Sequence, residues 1–118
     1  MDGIIRNART AAGALGALVM MSAPALAADI EGNWTTLSGE TAAIAACGSS
    51  FCITLKTGAY AGKQIGKLAP DGNGYKGTIV DPVDDKEYSG NAEVNGAVLT
   101  LKGCALIVFC KTQEWHRQ

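Results

Sequence analysis

Histidine is nearly absent from these 118 residues: His116 is the only one, and aromatic residues make up 6% of the chain. A serine or cysteine nucleophile needs a base that is itself held by a third group. His116 stands beside the C-terminus and, in a strand, alternates away from the side of Trp115 and Arg117, so no catalytic set assembles and no enzyme activity or cofactor is expected. An excess of basic charge is missing too. Lys and Arg number 10 against 11 Asp and Glu, a formal charge of −1, which argues against a nucleic-acid footprint, since that needs a dense basic face. After residue 28 no apolar run approaches the roughly 18 residues of a membrane-spanning helix.

The hydrophobic material at the start reads as an address. Arg6 and Arg9 form a short positive region, Ala11 to Met21 runs without charge, and Ala25-Leu26-Ala27 follows Pro24 as a small-residue cleavage site. Such a run has the length of a signal-peptide core and is too short to span a bilayer. Residues 1–27 are therefore expected to be a leader, with cleavage before Ala28, and 28–118 a single domain that is periplasmic or secreted. No cysteine follows the site, so a lipid anchor is not expected. The remainder carries 8 basic and 10 acidic side chains, a balance of −2.

From Gly32 to Arg117 the apolar pattern has a period of two, and no window shows a helical period. Tyr88, Gly90, Ala92 and Val94 alternate with polar residues, and Ala97, Leu99 and Leu101 resume the pattern after Asn95-Gly96, a dipeptide favoured in two-residue turns. That turn sets Val94 opposite Ala97, Ala92 opposite Leu99, Gly90 opposite Leu101 and Tyr88 opposite Gly103. Upstream, a Ser49-Ser50 loop sets Cys47 opposite Cys52, Ala46 opposite Ile53 and Ile44 opposite Leu55. A third hairpin closes between Cys104 and Cys110 and brings Gln113 opposite Leu101 and Trp115 opposite Leu99. Gly32 to Leu37 reads as a first strand, Gly58 to Leu68 as one ragged strand, Pro70 to Gly74 as a turn, and Tyr75 to Val80 as a further strand. About eight short strands joined by hairpins predict an all-β, antiparallel, up-and-down barrel, because closure removes exposed sheet edges.

The four cysteines are spaced C-x4-C and C-x5-C. Structural zinc generally uses tighter knuckles, and an exported protein meets an oxidising compartment. The hairpins point to Cys47–Cys52, on the outer face, and Cys104–Cys110, with no metal. Other motifs carry little chemistry. Gly58-Ala59-Tyr60-Ala61-Gly62-Lys63-Gln64 is one residue short of a phosphate loop, ends in Gln and lacks a following helix. Asn33-Trp34-Thr35 matches a glycosylation triplet at a strand start. Asp81, Asp84 and Asp85 offer carboxylates for calcium or for paired-acid hydrolysis, yet Asp81-Pro82 reads first as a turn between strands.

Several pieces together resemble an exported bacterial family, the domain-of-unknown-function family 2147. They are Gly32-x-Trp34, Cys47-Gly48-x-x-x-Cys52, the run from Gly77 through Asp81-Pro82 and Asp84 to Lys86 and Tyr88, Gly103-Cys104, and Thr112-Gln113-x-Trp115-x-Arg117. The stretch between the cysteine hairpin and the Asp-Pro strand is shortened here to Gly58 through Gly74, and Asp84-Asp85-Lys86 has Asp where the family usually has Gly. The resemblance implies a lipocalin-like barrel in which Arg117 on the last strand packs on Trp34 of the first. It implies no catalytic activity.

A barrel of eight strands either fills its interior with side chains or holds one small ligand. Ala42, Ala46, Gly90 and Ala92 are small inward residues that leave space. The expected function is binding of a small apolar molecule that enters a barrel mouth and contacts Tyr88, Leu99, Leu101, Gln113 and Trp115. The alternative is a module that binds an envelope protein through an exposed apolar tip, Leu106 to Phe109.

Overall fold

The computed structural model describes residues 29–105 and 109–118. Eight antiparallel strands follow one another in chain order and close into a barrel. They are β1 (Gly32–Thr35), β2 (Thr41–Cys47), β3 (Ser50–Leu55), β4 (Gln64–Asp71), β5 (Gly74–Asp81), β6 (Lys86–Asn95), β7 (Val98–Ala105) and β8 (Phe109–Arg117). The all-β, up-and-down barrel read from the period-two pattern is the observed fold. The leader and its cleavage site lie outside the described residues, as do Leu106, Ile107 and Val108.

Tight turns connect the strands at one end and longer loops at the other. Asp71 pairs with Gly74, Cys47 with Ser50 and Asn95 with Val98, so the two-residue turns are Gly48-Ser49, Gly72-Asn73 and Gly96-Ala97. This corrects both predicted hairpin registers by two residues. Cys47 stands opposite Ser50 and not Cys52, Val94 opposite Leu99 and not Ala97, and Gly90 opposite Gly103. The cause is the backbone. Gly48, Gly72 and Gly96 have φ of 72°, 60° and 62°, and each stands first in its turn, where a type II′ turn needs a positive φ. An Asn95-Gly96 or Ser49-Ser50 turn would have forced that conformation on a residue with a side chain. Because the slip is two residues, every side chain keeps its face.

Strand limits are corrected as well. β1 stops at Thr35, short of Leu37; β4 runs past the expected Leu68 through Pro70 and Asp71; and β5 takes in Gly74 and Asp81. Ala46 sits at the barrel end and is exposed, not inward. The third hairpin has the expected register, with Leu99 opposite Trp115, Leu101 opposite Gln113 and Cys104 opposite Cys110. Both disulfides form as paired above, Cys47–Cys52 and Cys104–Cys110. The first runs diagonally across its hairpin, over a Cα separation of 5.8 Å.

A small barrel cannot place a large side chain at every inward position. Gly77, Gly90 and Gly103 are neighbours in one row across β5, β6 and β7. A Cβ on Gly77 would lie 2.0 Å from the Lys67 carbonyl oxygen, and one on Gly90 would lie 2.6 Å from Ile79. The row lets the wall bend sharply and lets Ile79 fold over it. A register shift between Ile53 and Thr54 adds one residue to β4, so consecutive Ile65 and Gly66 are both buried. Where the family usually has Gly in the Asp84-Asp85-Lys86 step, Asp85 itself adopts φ 61°, a conformation that Asp tolerates better than most residues.

The tight-turn end is sealed. Trp34 is fully buried and its indole donates to the Ile30 carbonyl at 2.9 Å, with Ile30 equally buried. The Arg117 guanidinium lies 4.3 Å from the Trp34 ring centroid and donates to the Glu31 carbonyl at 3.0 Å and to the Asp29 carbonyl. This is the pairing that the family resemblance implied. Gly32 has φ 130°, and a Cβ there would stand 3.1 Å from the guanidinium. Tyr75 adds a tie, donating to the Asp29 carboxylate at 2.5 Å and meeting Phe51 edge-on at 5.7 Å.

Two predictions follow from this end. Truncating Trp34 to Ala should cost about 3–5 kcal/mol in urea unfolding, the range for a large buried aromatic; a midpoint that hardly moves would remove Trp34 from the core. Burial, followed by the hydrogen bond to Asp29, pushes the Tyr75 phenol from 10.0 up to about 12. The neutral phenol is the form favoured on folding, so this contribution is complete below the unfolded value of about 10 and is lost as pH rises through about 12. Tyr75→Phe should flatten the fall in stability across that window, and an unchanged slope would contradict the assignment.

Candidate functional site

The longer loops surround an opening at the other end of the barrel. Residues 36–40 join β1 to β2, residues 56–63 join β3 to β4, and residues 82–85 join β5 to β6. A cavity of about 490 Å³ descends from this mouth, with an apolar floor that includes Leu55, Ile65, Ile79, Leu101 and Trp115. Its size falls within the range of small-molecule sites, which are mostly apolar with a few placed polar groups. A larger and more open depression of about 870 Å³ lies against Glu87, Ser89, Cys104 and Cys110 at the same end of β6 to β8 and shares Tyr88 and Lys111 with the cavity. It lacks an enclosed floor of buried side chains.

Four of the five residues expected at the site line the cavity: Tyr88, Leu101, Gln113 and Trp115. Leu99 does not. It is fully buried one ladder step deeper, opposite Trp115, and belongs to the packed core with Ala92, Leu68 and Ile53. Tyr88 is half-buried and lies beside Gly103, whose added Cβ would stand 3.6 Å from the Tyr88 Cβ. The ring therefore covers this glycine diagonally even though the two are not register partners. Lys111 was not anticipated at the site. The signal was present in its spacing, because positions 111, 113 and 115 share one face of β8.

Gln113 is the polar centre of the wall. Trp115 Nε1 donates to its Oε1 at 2.9 Å. An indole N–H can only donate, so the contact fixes which amide atom is engaged and leaves Nε2 as the remaining donor of a cavity-lining residue. Nε2 has no acceptor among the described residues.

The mouth loops are tied to one another. Glu40 accepts from the Thr57 hydroxyl at 2.9 Å, and Thr57 Oγ1 accepts from the Thr41 amide at 2.8 Å. Gly58 leaves room for this carboxylate: a Cβ there would be 2.4 Å from Glu40, and its φ is 87°. Lys63 pairs with Asp85 at 2.6 Å and joins the next two loops. At the end of β5, Asp81 accepts from the Val83 amide at 2.9 Å through its side chain and from the Asp85 amide at 2.8 Å through its carbonyl. The Asp81-Pro82 step is thus a structural turn, as its composition suggested. His116 pairs with Val98 and Thr35 in the ladder and is exposed, away from the cavity.

Among curated proteins and among solved structures no match is found. The family described as "Uncharacterized protein conserved in bacteria (DUF2147)" matches residues 54–117, more than half of the chain. That span holds Leu101, Gln113 and Trp115 of the cavity and Arg117 of the sealed end, and the chain belongs to the DUF2147 family.

Proposed function

We propose that this protein is a non-catalytic, exported binder of a small apolar molecule, taken up through the long-loop mouth of the barrel. One observation carries the reading: a cavity of about 490 Å³ with an apolar floor opens at one end while Trp34, Ile30 and Arg117 seal the other. Apolar contacts would supply most of the affinity, and the tied loops favour a pocket formed before the ligand arrives. Export is part of the same proposal. It draws on the leader-like residues 1–27 and on two disulfides, which persist in oxidising compartments.

A second reading, a module that binds an envelope protein, draws on the surface of the same end. Leu37, Val83 and Phe109 are 71%, 73% and 66% exposed; the first two stand on the β1–β2 and β5–β6 connections and the third begins β8, all at the mouth end. Exposed apolar residues gathered at one place mark interaction surfaces.

The two readings separate with one variant. Gly103 lines the cavity, has an ordinary φ and meets only ordinary contacts if given a Cβ. Gly103→Leu should obstruct the cavity beside Tyr88 without unfolding the protein or altering the exposed rim. Titration of the wild-type protein with dodecanol should change the emission of Trp115, and Gly103→Leu should abolish that change. Equal responses in both proteins, or none in the wild type, would overturn the cavity reading and favour the rim.

A further inference from the structure

We infer that the cavity recognises an amphiphile whose head is an anion with acceptor oxygens, a carboxylate being the simplest, held by Lys111 and the Gln113 amide with the apolar tail directed onto Leu101 and Trp115. This rests on the proposed cavity binding and adds the chemistry of the head.

The polar groups at the mouth divide into those already engaged and those with a bond left to make. Both carboxylates lining the cavity have donors within the protein, Glu40 from Thr57 and Asp81 from Val83. Two donors on the facing wall have no acceptor among the described residues. Trp115 occupies the Gln113 Oε1, so Nε2 is the atom this cavity-lining amide has left to donate. The Lys111 ammonium makes no ion pair among the described residues, whereas Lys63, on the β3–β4 mouth loop, is taken up by Asp85. Lys111 stands two positions before Gln113 on the same face of β8, and its register partner is Gly103, which has no side chain to cover it. One charged and one neutral donor therefore stand side by side above an apolar floor. That arrangement suits a head that only accepts hydrogen bonds, because charge-assisted bonds to an anion are stronger than neutral ones. A cationic head would meet Lys111 and carboxylates that already have donors.

The test compares dodecanoate, dodecanol and dodecylammonium, three probes with one tail and different heads, by calorimetric titration of the purified protein. Dodecanoate should bind at least about tenfold more tightly than either of the others, the size expected for a hydrogen bond to a charged group. Lys111→Met, at an exposed position, should remove most of that advantage and change dodecanol binding far less. Gln113→Glu keeps an oxygen for Trp115 and replaces the free donor with a negative acceptor, so it should weaken dodecanoate and strengthen dodecylammonium. Near-equal binding of the three probes, or dodecanoate binding untouched by both substitutions, overturns the assignment of the head and leaves the cavity reading standing. Failure of all three to bind overturns both.

Discussion

Closure of the barrel depends on a short seam. β1 and β8 share only two register pairs, Trp34 with Arg117 and Thr35 with His116, and a two-pair ladder cannot hold a sheet shut unaided. The Arg117 side chain supplies the rest. Its guanidinium stacks on Trp34 and donates to two backbone carbonyls of the segment before β1, and Gln118 follows with a backbone bond to Asn33 at 3.0 Å. Trp34 in turn donates to Ile30, so the segment that Arg117 holds is the one that covers the core. A lysine would not reproduce this, since the planar guanidinium stacks and forks where an ammonium does neither.

Sealing one end gives the other its character. With Ile30, Trp34 and the tight turns filling the closed end, the interior loses bulk toward the mouth, where the glycine row ends at Gly103 and Lys111. The same glycines that let a short chain curve into a barrel also leave the wall thin beside Tyr88. Space at the mouth is thus a consequence of how this small barrel closes, and the polar groups around it are arranged on loops already tied by Glu40, Thr57, Lys63 and Asp85.

The sequence made some of this readable and hid the rest for physical reasons. Strand period and hairpin order were legible from Tyr88 to Trp115 because alternation is a local property, and the face of each residue survived even where the register was wrong. The two-residue slips at Gly48 and Gly96 were missed because a glycine shifts the turn without changing the pattern of either strand. The contacts of Arg117 with Asp29 and Glu31 span 88 and 86 residues and had no local signal; the family resemblance pointed only to Arg117 packing on Trp34. Lys111 drew no reading, since its place beside the cavity depends on Gly103 standing opposite. Leu99 was placed at the ligand because it shares a face with Leu101, whereas depth along the strand decides which of the two meets the cavity.

On the proposed function one end of the barrel is sealed and the other takes a ligand, and amide chemical shifts report on the two ends separately. Adding dodecanoate to the isotope-labelled protein should move the backbone signals of Leu101, Gln113 and Trp115 in a saturable way and leave those of Ile30 and Trp34 in place. Saturable shifts centred on Ile30 and Trp34, or none at Gln113 and Trp115, would contradict the account.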